Sequence, residues 1–283
     1  MGGLGSISGA FFAAVLIGCV HAFGIYLFPQ ATLVLIFLTM AMVLAWRPQG
    51  LMGELPGAAP REEVTTFQGW TSHRVLFMAT GLAWLVLSVG MTWVDEYTQH
   101  VLEDVFIMML FGISLQAMMA LSGWVSFGHA AYFGLGAYAA ALGHVHWSFN
   151  AWQAALGGMV CAGAAAYAMS GLLQRSAGVY LAMLSLAFAQ MVWAGASQWI
   201  SLTGGDNGLI GLQLLPNASR TVFQWTLITL SALALLGLAR LVRSSMGAAL
   251  QAGRDAPLRA MASGLQVRTL NNRVFLLSAI VAG

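Results

Sequence analysis

The chain runs through one nearly charge-free apolar stretch after another, most of them long enough to cross a bilayer. A helix needs about 20 predominantly apolar residues to span the hydrocarbon core, with a range of roughly 17–25. Such stretches occupy Gly9–Phe28, Ala31–Trp46, Val75–Val94, Val105–Leu121, Phe127–Trp147, Trp152–Leu173, Gly178–Ile200 and Val222–Ala239. A last one begins near Val274 and runs to Gly283. None of them contains Lys, Arg, Asp or Glu, in keeping with a cost of about 2.5–3.5 kcal/mol for a charge at the centre of a spanning helix. In lipid every backbone N–H and C=O must be paired internally. Barrel strands would do this with alternating polar and apolar residues, whereas these runs are continuously apolar. The expected fold class is therefore all-α, a polytopic transmembrane bundle of about eight or nine spans.

Composition agrees. Of 283 residues, 59% are hydrophobic and 7% charged, against about 25% charged in soluble domains. One water-soluble core cannot hide this much apolar surface, so lipid must be the solvent for much of it. Lysine is absent, and the net charge of +2 is too small and scattered to mark a nucleic-acid binder. Cys19 and Cys161 lie inside apolar stretches and read as small packing residues rather than as a disulfide or zinc site. The start at Met1-Gly2-Gly3-Leu4 lacks the basic flank of a cleavable signal peptide.

The loops orient the bundle. Arg47, Arg61 and Arg74 flank one linker, Arg175 lies in the next loop on that side, and Arg240, Arg243, Arg254, Arg259, Arg268 and Arg273 fill another. Counting spans places all three on one face. The opposite face holds Asp95, Glu96, Glu103, Asp104 and Asp206, with Arg220 as its only cation. The positive-inside rule makes the Arg face, the N-terminus and the 244–273 loop of this multi-pass chain cytoplasmic. Trp46, Trp93, Trp147, Trp152 and Trp199 lie near span ends, where indole rings favour the interface.

Three segments are not simple spans. Residues 47–73, with Pro56-Gly57-Ala58-Ala59-Pro60 and Glu62-Glu63, form a linker between two blocks. In 244–273, Ser244 or Ser245 can cap a short helix; Asp255 can cap a second, with Pro257 in its first turn and Gly264 at its end. Leu250, Leu258, Met261 and Leu265 give this loop an apolar side that suits either the membrane surface or a cytoplasmic partner. Thr203-Gly204-Gly205-Asp206-Asn207-Gly208, in the 201–221 outer loop, is rich in turn formers. It is a plain turn or a segment facing substrate or a binding protein.

Catalytic motifs are missing. There is no Walker A sequence, no His-Glu-x-x-His and no Gly-x-Ser-x-Gly, so no catalytic residue, metal or cofactor is expected. His144-x-His146 has no neighbouring acid or Cys to complete a metal site. The segment with most chemistry is Ser122-Gly123-Trp124-Val125-Ser126-Phe127-Gly128-His129-Ala130-Ala131-Tyr132. Polar groups at a span junction must face protein or water. Ser122, Ser126, His129 and Tyr132 therefore line a cavity or hydrogen-bond between helices. Gln116 and Gln190, amides inside spans, are weaker pathway candidates, and His21 reads as a satisfied core histidine. Ala130/Gly134 and Gly136/Ala140 are spaced for close helix contact.

The stretch Ser126-Phe127-Gly128-His129-Ala130-Ala131-Tyr132-Phe133-Gly134-Leu135-Gly136-Ala137-Tyr138 resembles the M-type (LivM-like) permeases of branched-chain amino acid ABC importers. Three further segments are similar to that family in the same order: Gly178-Val179-Tyr180-Leu181-Ala182 through Leu186-Ala187-Phe188, then Thr203-Gly204-Gly205-Asp206-Asn207-Gly208-Leu209, and then Gly247-x-x-Leu250-x-Ala252-x-Arg254-Asp255 with Ala260-x-x-x-Gly264. The last resembles the cytoplasmic loop that docks on the ATPase; Ala248 and Gly253 depart from the family's basic and aliphatic residues. Residues 2–10 and 47–53 resemble the last spans and tail of the partner H-type (LivH-like) permease. The expected division is two H-type-like helices in 1–46, a cytoplasmic linker over 47–73 and an M-type domain over 74–283 that stops early. This reads as a gene fusion or an internal start in a fused permease.

The resemblance implies an importer of the bacterial inner membrane with two permeases, two cytoplasmic ATP-binding subunits and a periplasmic substrate-binding protein, moving Leu, Ile or Val. Urea, short amides or other amino acids are the alternative cargo, and a non-functional fragment the alternative status. Rival classes are an intramembrane enzyme, disfavoured because every acid lies in a loop or at a span end, and a structural membrane subunit without a passage.

Overall fold

The computed structural model describes residues 1, 3, 6–47, 49–52, 78, 81–82, 84–90, 93–174, 176, 178–210 and 220–283. Most of the 47–73 linker, with Arg61, and also Arg74, much of the third expected span, Arg175 and residues 211–219 lie outside them. All regular structure among the described residues is helical. The helices are α1 (Ile7–Leu27), α2 (Thr32–Trp46), α3 (Glu96–Ser122), α4 (His129–Trp147), α5 (Ala151–Leu173), α6 (Val179–Gln198), α7 (Arg220–Arg243), α8 (Ser245–Asp255), α9 (Pro257–Ala262) and α10 (Val267–Ala282). Five of these, α1, α3, α5, α6 and most of α7, are long and apolar enough to cross a membrane. The α2 and α10 helices have 15 and 16 residues, and α4 carries His129, His144 and His146. The chain is a multi-pass, all-α membrane protein.

Two helices start earlier than the apolar pattern predicts. The span expected from Val105 belongs to a helix that begins at Glu96. Its polar first turns persist because their groups find partners: Gln224 Nε2 donates to Gln99 Oε1 at 3.1 Å and to Glu103 Oε1 at 3.0 Å, and His100 Nδ1 lies 3.2 Å from Glu103 Oε2. The span expected near Val274 begins at Val267.

Contacts at the helix ends set the topology. Gln224 joins the start of α7 to the start of α3. Arg254, on α8, donates to the Ala120 carbonyl at the end of α3. Helices α3 and α7 thus run parallel, and α8 sits at the end where both finish. Trp84 Nε1 donates to Ser231 Oγ at 2.9 Å, which places the 84–90 helical piece against the middle of α7.

The interior is built from small residues around a few large ones. Ala162, Ala166, Ala187 and Ala279 are fully buried, with Met118, Leu184 and Phe275 among them. Van der Waals packing and interhelical hydrogen bonds, rather than water exclusion, hold helices together in lipid, so backbones must approach closely. A Cβ on Gly158 would lie 2.8 Å from the Gly136 carbonyl and 3.0 Å from that of Gly283, so α4, α5 and the end of α10 meet through glycines. Of the predicted small-residue pairs, Gly136 makes this contact. Gly134 has nothing within 4 Å, and Ala130 is exposed.

Helix α1 is apolar all round and largely exposed, with Phe11, Phe23, Tyr26 and Phe28 all more than 60% accessible. Exposure of this kind is stable where the solvent is lipid. His21 and Cys19 are exposed on it, which corrects the expectation of a core histidine and a packed cysteine: α1 has too few neighbours to bury them. Cys161 is half-buried.

Substituting Gly158→Leu should cost about 1–3 kcal/mol by overpacking. Thermal unfolding in detergent checks this, and an unchanged melting temperature would mean that α4 and α5 do not approach through this glycine.

Candidate translocation and docking sites

Helix α3 ends at Ser122, α4 begins at His129, and the six residues between them are held by side chains. Gly123 adopts φ +70°, the left-handed conformation that lets a helix stop abruptly. Ser122 Oγ donates to the Met118 carbonyl at 2.7 Å and accepts from Trp124 N at 3.3 Å. Phe127 N donates to Ser185 Oγ on α6 at 3.0 Å. Gly128 lies so close to the Ser185 carbonyl that a Cβ would collide with it.

His129 is the polar centre of the bundle, with 1% of its surface exposed. Its Nε2 lies 2.9 Å from Ser114 Oγ on α3 and 3.3 Å from Ser278 Oγ on α10. Both hydroxyl protons are already committed. Ser114 Oγ donates to the Phe111 carbonyl at 2.6 Å, and Ser278 Oγ to the Ser114 carbonyl at 2.5 Å. The two oxygens can therefore only accept, which assigns the ring proton to Nε2 and leaves the Nδ1 lone pair as an acceptor. Nδ1 is buried and has no partner among the described residues; Ser126 Oγ and Tyr180 Oη share that condition. Tyr132 packs its ring against Phe188, Phe275 and His129, with centroids 5.4, 5.6 and 6.0 Å apart.

Ser114 and Ser278 also reach a cavity of about 710 Å³ between α3, α5, α7 and α10, otherwise lined by apolar side chains such as Met159, Leu233 and Val281. Of the residues expected on a pathway, the structure brings Ser122, Ser126, His129 and Tyr132 into one buried region. Gln190 is half-buried on α6, and Gln116 is exposed on α3, facing away from His129. The hydroxyls of Ser114, Ser185 and Ser278 were missed by the sequence reading, which weighed amides and histidines inside spans but not serines. A hydroxyl in a charge-free span was the available signal.

The segment Thr203–Gly208 is a folded cap. Thr203 Oγ1 donates to the Ala196 and Trp199 carbonyls at 2.5 and 2.7 Å. Gly204, Gly205 and Gly208 all have positive φ, leaving Asp206 and Asn207 exposed at the tip. His144 Nδ1 lies 3.0 Å from the Phe149 carbonyl and secures the turn after α4.

At the other end, α8 starts as expected: Ser244 caps it, accepting from Gly247 N at 3.1 Å. Asp255 does not cap α9. It is the last residue of α8 and takes Arg254 Nε at 2.8 Å, while Ala256 stands at the α9 N-cap. Gly247, Leu250, Gly253 and Ala260 face inward. A Cβ on Gly253 would lie 2.9 Å from Val267 Cγ1, which explains glycine at that position. Ala252, Asp255, Leu258, Met261 and Gly264 are exposed.

A sequence profile of the family described as "Branched-chain amino acid transport system / permease component" matches residues 97–283, about two thirds of the chain. The chain belongs to this family. The matched range begins at the first turn of α3 and takes in the His129 junction, the Thr203–Gly208 cap and the α8–α9 element. The high-affinity branched-chain amino acid transport system permease protein LivM of Escherichia coli K12 is 26% identical over 266 residues, covering 84% of this chain and 62% of that protein. The protein of the same name from Salmonella typhimurium LT2 is 25% identical over 256 residues, covering 80% and 59%. The chain thus spans about three fifths of the length of these curated relatives, both named as transport permease proteins. No solved structure matches it significantly.

If the Ser114–His129 contact helps hold α3 to α4, alanine variants of the two should be coupled by about 0.6–1.7 kcal/mol, the span found for interhelical hydrogen bonds in lipid. A double-mutant cycle of unfolding in detergent measures this, and additive effects would show that the 2.9 Å contact contributes nothing.

Proposed function

We propose that the chain forms part of the membrane passage of an ABC importer for branched-chain amino acids, working with cytoplasmic ATP-binding subunits, a second permease subunit and a periplasmic substrate-binding protein. The cargo is inferred from the names of the relatives, and the residues given to the passage are Ser126, His129, Tyr132 and Tyr180. Their buried acceptors and hydroxyls suit the polar ends of an amino acid, and the aromatic rings beside them suit its apolar side chain. Membership in the permease family and the lack of a nucleotide-binding motif support a division of labour in which ATP hydrolysis occurs in a partner.

The observation that carries this reading is the outward face of α8–α9. Leu258 is 75% and Met261 53% exposed, with Arg259 between them in sequence, at the end of the bundle richest in Arg. Exposed apolar groups ringed by charges mark a protein-docking surface. The positive-inside rule assigns this end to the cytoplasm of the inner membrane, together with the N-terminus. Asp206 and Asn207 then face the periplasm, where a binding protein would deliver cargo. Within this reading, 1–46 is an H-type-like helix pair and 74–283 the M-type domain.

The test is co-purification of the chain with its ATP-binding partner. Leu258→Glu together with Met261→Glu should abolish the complex and leave the melting temperature nearly unchanged, because exposed positions tolerate substitution within about 0.5 kcal/mol. Retention of the ATPase by this variant, or failure of the native chain to retain one, sinks the proposal. Uptake of radiolabelled leucine, in competition with urea and acetamide, identifies the cargo class.

A further inference from the structure

We propose that Arg254 is the strut that transmits movement of the docking element to α3, and through α3 to the buried His129 cluster. The proposal rests on the importer reading above and adds a positioning residue to it.

The last carbonyls of a helix have no intrahelical partner, and a cation there is favoured by the helix dipole. In α3, Gly123 N takes the Met119 carbonyl, and the next carbonyl, of Ala120, receives Arg254 Nη1. Asp255 Oδ1 accepts Arg254 Nε at 2.8 Å and holds the guanidinium in place. Room for the stem of Arg254 comes from Gly123. A Cβ on that glycine would lie 2.7 Å from Arg254 Cγ and 3.1 Å from Cδ.

The remaining grips of α8 are packing contacts. Gly247 sits on the carbonyls of Leu241 and Val242, Gly253 sits on Val267, and Leu250 is buried in the core that includes Met118 and Leu121 of α3. The first two bind α8 to helices adjacent to it in the chain. Leu250 packs toward α3 without direction, whereas Arg254 makes the hydrogen bond to that helix, more than 130 residues away in sequence. Six residues before Ala120, about 9 Å along the axis, Ser114 meets His129 of α4 and Ser278 of α10. One helix thus carries the docking element at its end and two other spans at its middle, so a pull on Arg254 moves all three.

The experiment uses the assembled importer in proteoliposomes and reads ATPase retention, ATP hydrolysis and leucine transported per ATP. Complexes of Arg254→Ala should transport about tenfold less leucine per ATP hydrolysed, the loss expected for one charge-assisted hydrogen bond. Arg254→Lys, which keeps one donor and the charge, should recover part of the transport. Gly123→Ala, which crowds the stem from the α3 side and also strains the left-handed turn there, should reproduce the alanine defect in the complexes that form. Unchanged transport per ATP in both Arg254→Ala and Gly123→Ala overturns the strut. Loss of the ATPase from Arg254→Ala overturns it as well, by placing Arg254 on the docking surface itself. Failure of the native chain to retain an ATPase refutes the importer reading first and this inference with it.

Discussion

Inside a bilayer no water replaces a missing hydrogen-bond partner, so each polar group in the bundle must be satisfied by another part of the protein. This constraint accounts for the details at the centre of the molecule. Serine after serine turns back on its own helix: Ser114 onto Phe111, Ser122 onto Met118, Ser170 onto Tyr167 and Ser185 onto Ala182. With their protons spent locally, these hydroxyls present only lone pairs to neighbouring helices. The groups able to use them are the N–H of His129 and the freed amide of Phe127. The interhelical contacts of α3, α4, α6 and α10 follow from that arrangement of donors and acceptors.

The same constraint makes the unpartnered groups informative. His129 Nδ1, Ser126 Oγ and Tyr180 Oη are buried without partners among the described residues, as are the side-chain oxygens of Gln198, Asn271 and Asn272. Each would cost about 1–3 kcal/mol if it stayed unsatisfied. Ser126 lies in the α3–α4 junction, His129 opens α4 and Tyr180 lies in the first turn of α6, and these are the groups assigned to the proposed passage. The cavity between α3, α5, α7 and α10 has a different character. Ser114 and Ser278 reach it, but their protons are committed elsewhere, so it offers little to a charged group.

Much of the architecture was legible in the sequence because hydrophobic length and charge asymmetry are local properties. Apolar runs marked the spanning helices, and Ser244, Pro257 and Gly264 acted at helix ends as their chemistry dictates. Errors arose where a residue's environment depends on distant neighbours. The nine residues before Val105 are polar enough to read as loop, yet they are helical because Gln224 lies opposite them. His21 resembles a core histidine by its position in a span, but α1 has too few neighbours to bury it. Gly134 and Gly136 have the same local character, and only Gly136 faces α5 and α10.

The sequence by itself determined that this chain lives in lipid as a bundle of helices, which end carries its arginines, and which short segments carry its polar chemistry. Those properties depend on free energies of transfer and on backbone conformation, which act residue by residue. Only the tertiary structure decided that His129 donates to Ser114 and Ser278 and that Gly253 makes room for Val267. The same holds for Arg254 at the end of α3. Contacts between residues far apart in the chain depend on how helices rotate and slide against each other, and in lipid that is settled by close packing and hydrogen-bond pairing between surfaces that are almost uniformly apolar.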